Sequence, residues 1–417
     1  MAAPPVLPSG RMPQIDAGLG PVSQAKPARI ASIDIFRGLT MLVMIFVNQL
    51  GEMKGLPWWT YHMPASANGM TYVDVVFPFF LFIVGMSCPL AIRRRLSNGD
   101  SVLAIGFHVA TRSLALIVLG LILANSGNVD PHLTGMAANV WTFLSLFGAI
   151  LFWNSYPQSH RYKLLFRSLK IAGLALSVAM LIVFRRLAPD GHVAWLDTRY
   201  WEILGMIGWT YFNVCLLYIP TRRWPWMQFA WFGGLTALNI LCGLHWISWA
   251  YRAPFYVWPF KSGAFSSIVF AGLLTSLLFL TDDFTTNRAK KTAAALCFAA
   301  MLFALGSLTV PLGISKVRAT PTWCLFCSGA AICVILALYW VCDVQMRTRW
   351  AQFVRPAGSN TLLTYLLPPL CAAAMGREVL FEQWNHGWFG VAQAVVFTAV
   401  IMTLAALLTR LKVRVQL

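Results

Sequence analysis

SIDIFRGLTMLVMIFVNQ (residues 32–49) and TYVDVVFPFFLFIVGMSCPLA (residues 71–91) decide the fold class. A helix that crosses a bilayer needs about 20 mostly apolar residues. Each run supplies nearly that length, with its ionisable groups, Asp34, Arg37 and Asp74, gathered toward one end. The apolar positions are continuous rather than alternating, which argues for helices and against a β-barrel. The pattern recurs along the chain. Twelve segments qualify as spans, at 34–50, 72–92, 104–124, 137–155, 164–184, 202–219, 226–246, 263–281, 292–311, 321–342, 359–376 and 389–410.

Composition agrees. Of 417 residues, 58% are apolar and 11% charged, with a mean hydropathy of +0.66. Soluble domains carry about 25% charged residues. A soluble enzyme, a disordered chain and a secreted disulfide scaffold are thereby excluded. The expectation is an all-α protein, a polytopic transmembrane helical bundle of about twelve spans, partnered by the lipid bilayer. Residues 1–30, rich in Pro, Gly and Ala, read as a flexible cytoplasmic tail ahead of one membrane domain, 31–417. No internal repeat is visible, which argues against transporter folds built from inverted repeats.

The net charge of +18 would suggest nucleic acid in a soluble protein. In a membrane protein it reports orientation, because cytoplasmic loops collect Lys and Arg, and no nucleic-acid partner is expected. With the N-terminus inside, outer segments hold nine of the 32 Lys and Arg: Lys54, Arg185, Arg186, Arg199, Arg252, Lys261, Lys316, Arg318 and Arg377. Arg112 falls within a span, and the remaining 22 lie inside. Both termini are therefore expected in the cytoplasm. That requires an even span count, which ten or twelve satisfies.

Polar groups at membrane depth are costly and mark function. Asn48 closes the first span on the outer side. His62 and Asn68 follow in the loop GEMKGLPWWTYHMPASANGM (51–70), and Asp74 opens the second span. Trp58, Trp59 and Tyr61 flank the histidine. An imidazole beside a carboxylate suits general-base chemistry near neutral pH. An amide can donate to a developing oxyanion, and aromatic rings pack on sugar faces. The same residues also fit an interfacial aromatic belt with a solvated histidine. Arg112 reads either as a side chain snorkelling to the inner interface or as a phosphate anchor. Lys316 and Arg318 would bind an anionic substrate group or lie among headgroups.

His108 and His160 lie near inner loops, His132, His192 and His386 in outer loops, and His245 at a span end. None pairs at metal-ligand spacing. Cys324 and Cys327 form a C-x-x-C, but within the apolar run TWCLFCSGAAICVILAL, where packing cysteines are expected. No metal is expected. No Gly-rich phosphate loop or G-x-S-x-G elbow is present.

RIASIDIFRGLTMLVMIFVN (29–48) and HMPASANGMTYVDVVFPFFLFIVGMS (62–87) resemble the opening of the heparan-α-glucosaminide N-acetyltransferase family. The D-x-F-R-G and D-x-V-F-P-x-F-x-F-x-x-G strings are its specific part. RSLALIVLGLILAN (112–125), WEILGMIGWTYF (201–212), ISKVRATPTW (314–323) and PAGSNTLLTYL (356–366) resemble later segments, extending the likeness over roughly 29–410. The resemblance implies a transmembrane acetyltransferase, moving an acetyl group from cytoplasmic acetyl-CoA to an amino sugar of glucosamine type on the periplasmic side of a bacterial inner membrane. It implies His62 as the active-site histidine, Asn48 as its companion and Asp74 as the family carboxylate. Asn68, Trp58, Trp59, Lys316 and Arg318 are then the expected substrate-binding residues. Arg37 and Arg112 are expected to meet the phosphates of acetyl-CoA, and a homodimer is compatible. The family's H-x-x-W-x-G appears here as HMPASANG, without the Trp. The competing expectation is an inner-membrane transporter for amino sugars such as N-acetylglucosamine, with the same polar hairpin as its binding site.

Overall fold

The structure is a computed structural model, and it describes residues 30–157, 160–247, 262–376 and 385–417. The expected N-terminal tail, Ile30 apart, lies outside the described residues, and so do Arg252, Lys261 and Arg377. From Ala31 to Leu417 the chain forms one compact unit. Its long helices are α1 (Ala31–Leu50), α2 (Val76–Ser97), α3 (Val102–Asn125), α4 (Ala138–Trp153), α5 (Lys163–Val183) and α6 (Glu202–Thr221). They continue as α7 (Pro225–Gly243), α8 (Ala264–Thr275), α9 (Arg288–Leu308), α10 (Pro321–Tyr339), α11 (Thr361–Met375) and α12 (Gly387–Arg410). Each falls on one of the twelve expected segments. α8 and α10 run on into π-helical turns, Ser276–Leu280 and Trp340–Val344.

Eight helices among the described residues are long and apolar enough to cross a membrane, and α4, α8 with its π turn, and α11 are shorter apolar helices. The outward faces support membrane embedding. Leu114, Leu164, Ile171, Ile182, Leu296, Leu308 and Val396 are all exposed, Leu164 to 79%. In α5 only 17% of the apolar window is buried. Soluble monomers do not present apolar surface on this scale. The protein is therefore an all-α, multi-pass membrane protein. The expectation missed one small departure, a two-stranded antiparallel ribbon of β1 (Arg186–Leu187) and β2 (Val193–Ala194). A Gly191 turn of positive φ lies between its strands.

Helices pack through glycine. In a bilayer close backbone approach replaces the hydrophobic effect as the driver of association, and small residues permit it. α2 lies on α8, α3 on α6, α4 on α5 and α9 on α10. A Cβ on Gly85 of α2 would overlap the Val269 carbonyl of α8, and one on Gly272 would overlap the Phe82 carbonyl in return. Between α3 and α6 a Cβ on Gly120 would overlap the backbone of Gly205 and the Trp201 carbonyl.

Loop contacts show which helix ends lie together. The loop after α1 pairs with the segment before α12 through Lys54 and His386. It also meets the loop before α10, where Gly69 N–H donates to the Ile314 carbonyl at 2.8 Å. Asn125 at the end of α3 bonds the backbone of Asp197, just before α6. At the opposite end Asp343 accepts from the first backbone amides of α1, Ala31 at 2.8 Å and Ser32 at 3.0 Å. Asn360 there holds the C-terminal segment through Thr409 and the Val413 carbonyl.

Gly85→Ala should lower the melting temperature of the detergent-purified protein, with a loss of about 1–3 kcal/mol from overpacking. Gly106→Ala, on α3 with nothing within 4 Å of a new Cβ, should instead gain about 0.5–1 kcal/mol in helix propensity. Equal effects at the two sites would show that the α2–α8 approach is loose.

Candidate active site

The site is built on the turn into α2. Thr71 and Asp74 form a capping box across the 3-10 turn Tyr72–Val75. Thr71 N–H donates to Asp74 Oδ2 at 3.0 Å, which satisfies an otherwise orphaned amide at the helix start. The other carboxylate oxygen, Oδ1, is 2.7 Å from His62 Nδ1. Asp74 is 1% exposed, whereas the His62 side chain is 46% open. Trp323 of α10 donates its indole N–H to the Asp74 carbonyl at 3.1 Å, fixing the same turn from behind. A buried carboxylate accepts, so the Nδ1 that faces Asp74 is the donor of this pair, and Nε2 is the ring nitrogen turned away from it.

The 51–71 loop is pinned around this pair. Tyr61 hydroxyl donates to the Met53 carbonyl at 2.8 Å, and Thr71 hydroxyl donates to the Tyr61 carbonyl at 2.9 Å. Asn68 Oδ1 accepts from Ile314 N–H at 2.6 Å, and Arg318 reaches the Ala67 carbonyl at 3.4 Å. These contacts carry the 313–320 loop onto the histidine. Lys316 Nζ then lies 3.2 Å from His62 Nε2. Burial holds the Lys316 ammonium below the usual lysine range, against the opposing charges of Asp74 and Glu202.

A cavity of about 710 Å³ opens beside these groups, within the usual range of small-molecule sites. His62, Asn48 and Lys316 line it, with Met41, Met44 and Ile45 of α1. α2 contributes only Phe77; the other walls come mainly from α6 and α11. The cavity is thus framed by the first, sixth and eleventh helices, not by the first two as their polar ends suggest. Glu202, Tyr200 and Tyr365 also line it. Tyr365 hydroxyl donates to Glu202 Oε2 at 2.6 Å. Glu202 adopts φ +54°, a left-handed conformation that costs a residue with a side chain about 1–2 kcal/mol.

The remaining expected residues lie elsewhere. Asn68 and Arg318 join the two loops and do not line the cavity. Trp58 and Trp59 are exposed, at 70% and 50%, and Trp59 packs toward the Tyr72 ring. Arg37, near the N-terminal end of α1, bonds Ser87 Oγ at 2.9 Å and the Gly358 carbonyl at 3.3 Å. It shares a helical face with Met41, Met44 and Asn48, at i, i+4, i+7 and i+11, a line about 17 Å long. Arg112 is exposed, with its guanidinium 5.2 Å from the Tyr211 ring centre. Among the described residues no group of three His, Cys, Asp or Glu is placed to hold a metal ion. Cys324 is buried and accepts from the Asn239 amide at 3.7 Å.

Sequence reasoning missed Glu202 and Tyr365. The available signal was a carboxylate opening the apolar run WEILGMIGWTYF, in a chain with only 14 Asp and Glu.

Comparison with known proteins places this geometry in a family. The profile of a domain of unknown function (DUF5009) matches residues 29–258. The chain belongs to this family. It is also a relative of two curated proteins. Heparan-alpha-glucosaminide N-acetyltransferase of Homo sapiens is 42% identical over 101 residues, 24% of this chain. The Mus musculus protein of the same name is 40% identical over 97 residues, 23% of this chain. The match spans 14% of the length of each relative. Within this DUF5009 chain, the matched residues 29–258 carry Asn48, His62, Asp74 and Glu202, while Lys316 and Tyr365 reach the site from beyond the matched segment.

The half-buried Lys316 ammonium has a pH signature. Lys316 binds its proton less tightly in the folded chain than in the unfolded one, so its contribution to stability rises with pH between the two values. Lys316→Met removes that contribution. The melting temperature of the variant relative to the wild type should therefore fall as pH rises from about 7 toward about 10. A difference that stays flat would mean the lysine is fully solvated.

Proposed function

We propose that the protein is a transmembrane acetyltransferase that moves an acetyl group from acetyl-CoA to the amine of a glucosamine-type sugar. The observation that carries this reading is the buried Asp74 behind His62, with Nε2 turned toward Lys316 at the edge of a cavity that Asn48 also lines. The relatives' names support it, since both are N-acetyltransferases.

In the proposed reaction the acceptor nitrogen attacks the thioester carbonyl carbon, and a tetrahedral oxyanion forms. His62 Nε2 takes the proton that the nitrogen loses, and Asp74 stabilises the imidazolium across the Nδ1 hydrogen bond. The Asn48 amide and the Lys316 ammonium are the donors available to the oxyanion. The C–S bond then breaks, and the proton passes from His62 to the departing thiolate. The thioester supplies the driving force, and no metal takes part in this scheme.

The donor is a long polar molecule, and a bilayer tolerates it only in a protein-lined path. Arg37, on the α1 face that continues into the cavity, is the cation best placed along that line for its phosphates. Arg112 of α3 would be the second cation offered to them. We place the excess of Lys and Arg, and both termini, in the cytoplasm of a bacterial inner membrane. The site then faces the periplasm, and twelve crossings fit the alternation of helix ends.

The test uses purified protein in liposomes, with labelled acetyl-CoA on one face and glucosamine on the other. Label should appear on the sugar without mixing of the two pools. His62→Ala should reduce that rate by about 10²–10⁴-fold, and Asn48→Ala by about 10²-fold. Glucosamine or N-acetylglucosamine that crosses without acetyl-CoA, at a rate His62→Ala leaves intact, would favour a carrier instead.

A further inference from the structure

Glu202 has no task in the scheme above, and its placement is unusual in three respects. It is the first residue of α6, and its carboxylate lines the cavity that His62 and Lys316 also line. Its backbone is held at φ +54°, where glycine is at ease and a side chain is not. Its Oε2 accepts the Tyr365 hydroxyl at 2.6 Å and the Leu204 amide at 3.3 Å. A first-turn glutamate that only complements a helix dipole works from solvent with an ordinary backbone. Here the strained backbone turns a half-buried carboxylate into the cavity. Strain of this kind persists where the position serves a function.

We infer that Glu202, oriented by Tyr365, is the subsite that receives the acceptor's amino group as a cation, which makes the acceptor a primary amine and not a neutral sugar alcohol. The inference rests on the acyltransferase reading for its place in the reaction, but not for the binding itself. A carboxylate attracts an ammonium and fixes the nitrogen by charge-assisted hydrogen bonds; the bound ammonium must then release one proton to water in the cavity, which frees the lone pair that attacks, and His62 takes the second. A hydroxyl in the same place lacks the charge. The two cationic or titratable groups on the facing loops, Lys316 and His62, would otherwise repel an incoming ammonium or leave it unpartnered. Glu52, the other carboxylate lining the cavity, is exposed at the end of α1. Glu202 is therefore the acidic group at depth. Tyr365 is a positioning residue, acting through Glu202.

Two variants separate this role from a structural one. Glu202→Gln keeps the size and the Tyr365 contact but removes the charge. Glu202→Gly also relieves the positive φ, so it should fold at least as well, with a melting temperature raised by roughly 1–3 °C. In calorimetric titration of the full chain without acetyl-CoA, the wild type should bind glucosamine about tenfold or more tightly than glucose. Both variants should lose that preference. In the transfer assay KM for glucosamine should rise about tenfold, while kcat and the KM for acetyl-CoA change little. Variants that bind glucosamine like the wild type, or a wild type that does not prefer it to glucose, would overturn the subsite. A chain that transfers no acetyl group, yet binds glucosamine through Glu202, would refute the acyltransferase reading and leave the subsite standing.

Discussion

The hydrogen bond between Asp74 Oδ1 and His62 Nδ1 joins two levels of the structure. Its carboxylate also caps the start of α2 through Oδ2, and its backbone carbonyl is held by Trp323 of α10. A buried carboxylate is costly unless its lone pairs are satisfied. Here helix capping and imidazole orientation satisfy them together. The ring is consequently as rigid as the helix end, although it is half open to solvent. The loop between α1 and α2 has little freedom left, because Tyr61, Thr71, Asn68 and Lys54 are each tied to a neighbouring backbone.

Rigidity at the site end of the bundle depends on tight contacts deeper between the helices. Where Gly85 meets the Val269 carbonyl and Gly272 the Phe82 carbonyl, α2 and α8 approach until backbone touches backbone. The cavity nevertheless falls elsewhere, between α1, α6 and α11. Pro368 and Pro369 lie there within α11 and line the void. A proline inside a helix removes a backbone donor and kinks the rod. The bundle is thus packed by glycine around α2 and opened beside a proline pair.

Much of this was legible in the sequence. The places of the long helices among the described residues follow from the apolar runs, because bilayer thickness sets a length that composition alone reveals. His62 and Asp74 are 12 residues apart, and a hairpin between two spans brings them to the same membrane face. Glu202 and Tyr365 are 163 residues apart, and His62 and Lys316 are 254 apart. Such pairings depend on which helices become neighbours, and hydropathy carries no information on that. The tryptophans show the converse. Trp58 and Trp59 stand beside His62 in sequence, but the 3-10 turn Trp58–Thr60 directs them outward.

The openness of His62 has a consequence for any chemistry performed there. Nearly half of the side chain meets solvent, and water is the most abundant competitor an acyl acceptor can face. With the proposed reaction at this ring, a share of each donor load would escape as free acid. Fidelity would then depend on how long the acceptor dwells in the cavity, and not on keeping the catalytic base dry.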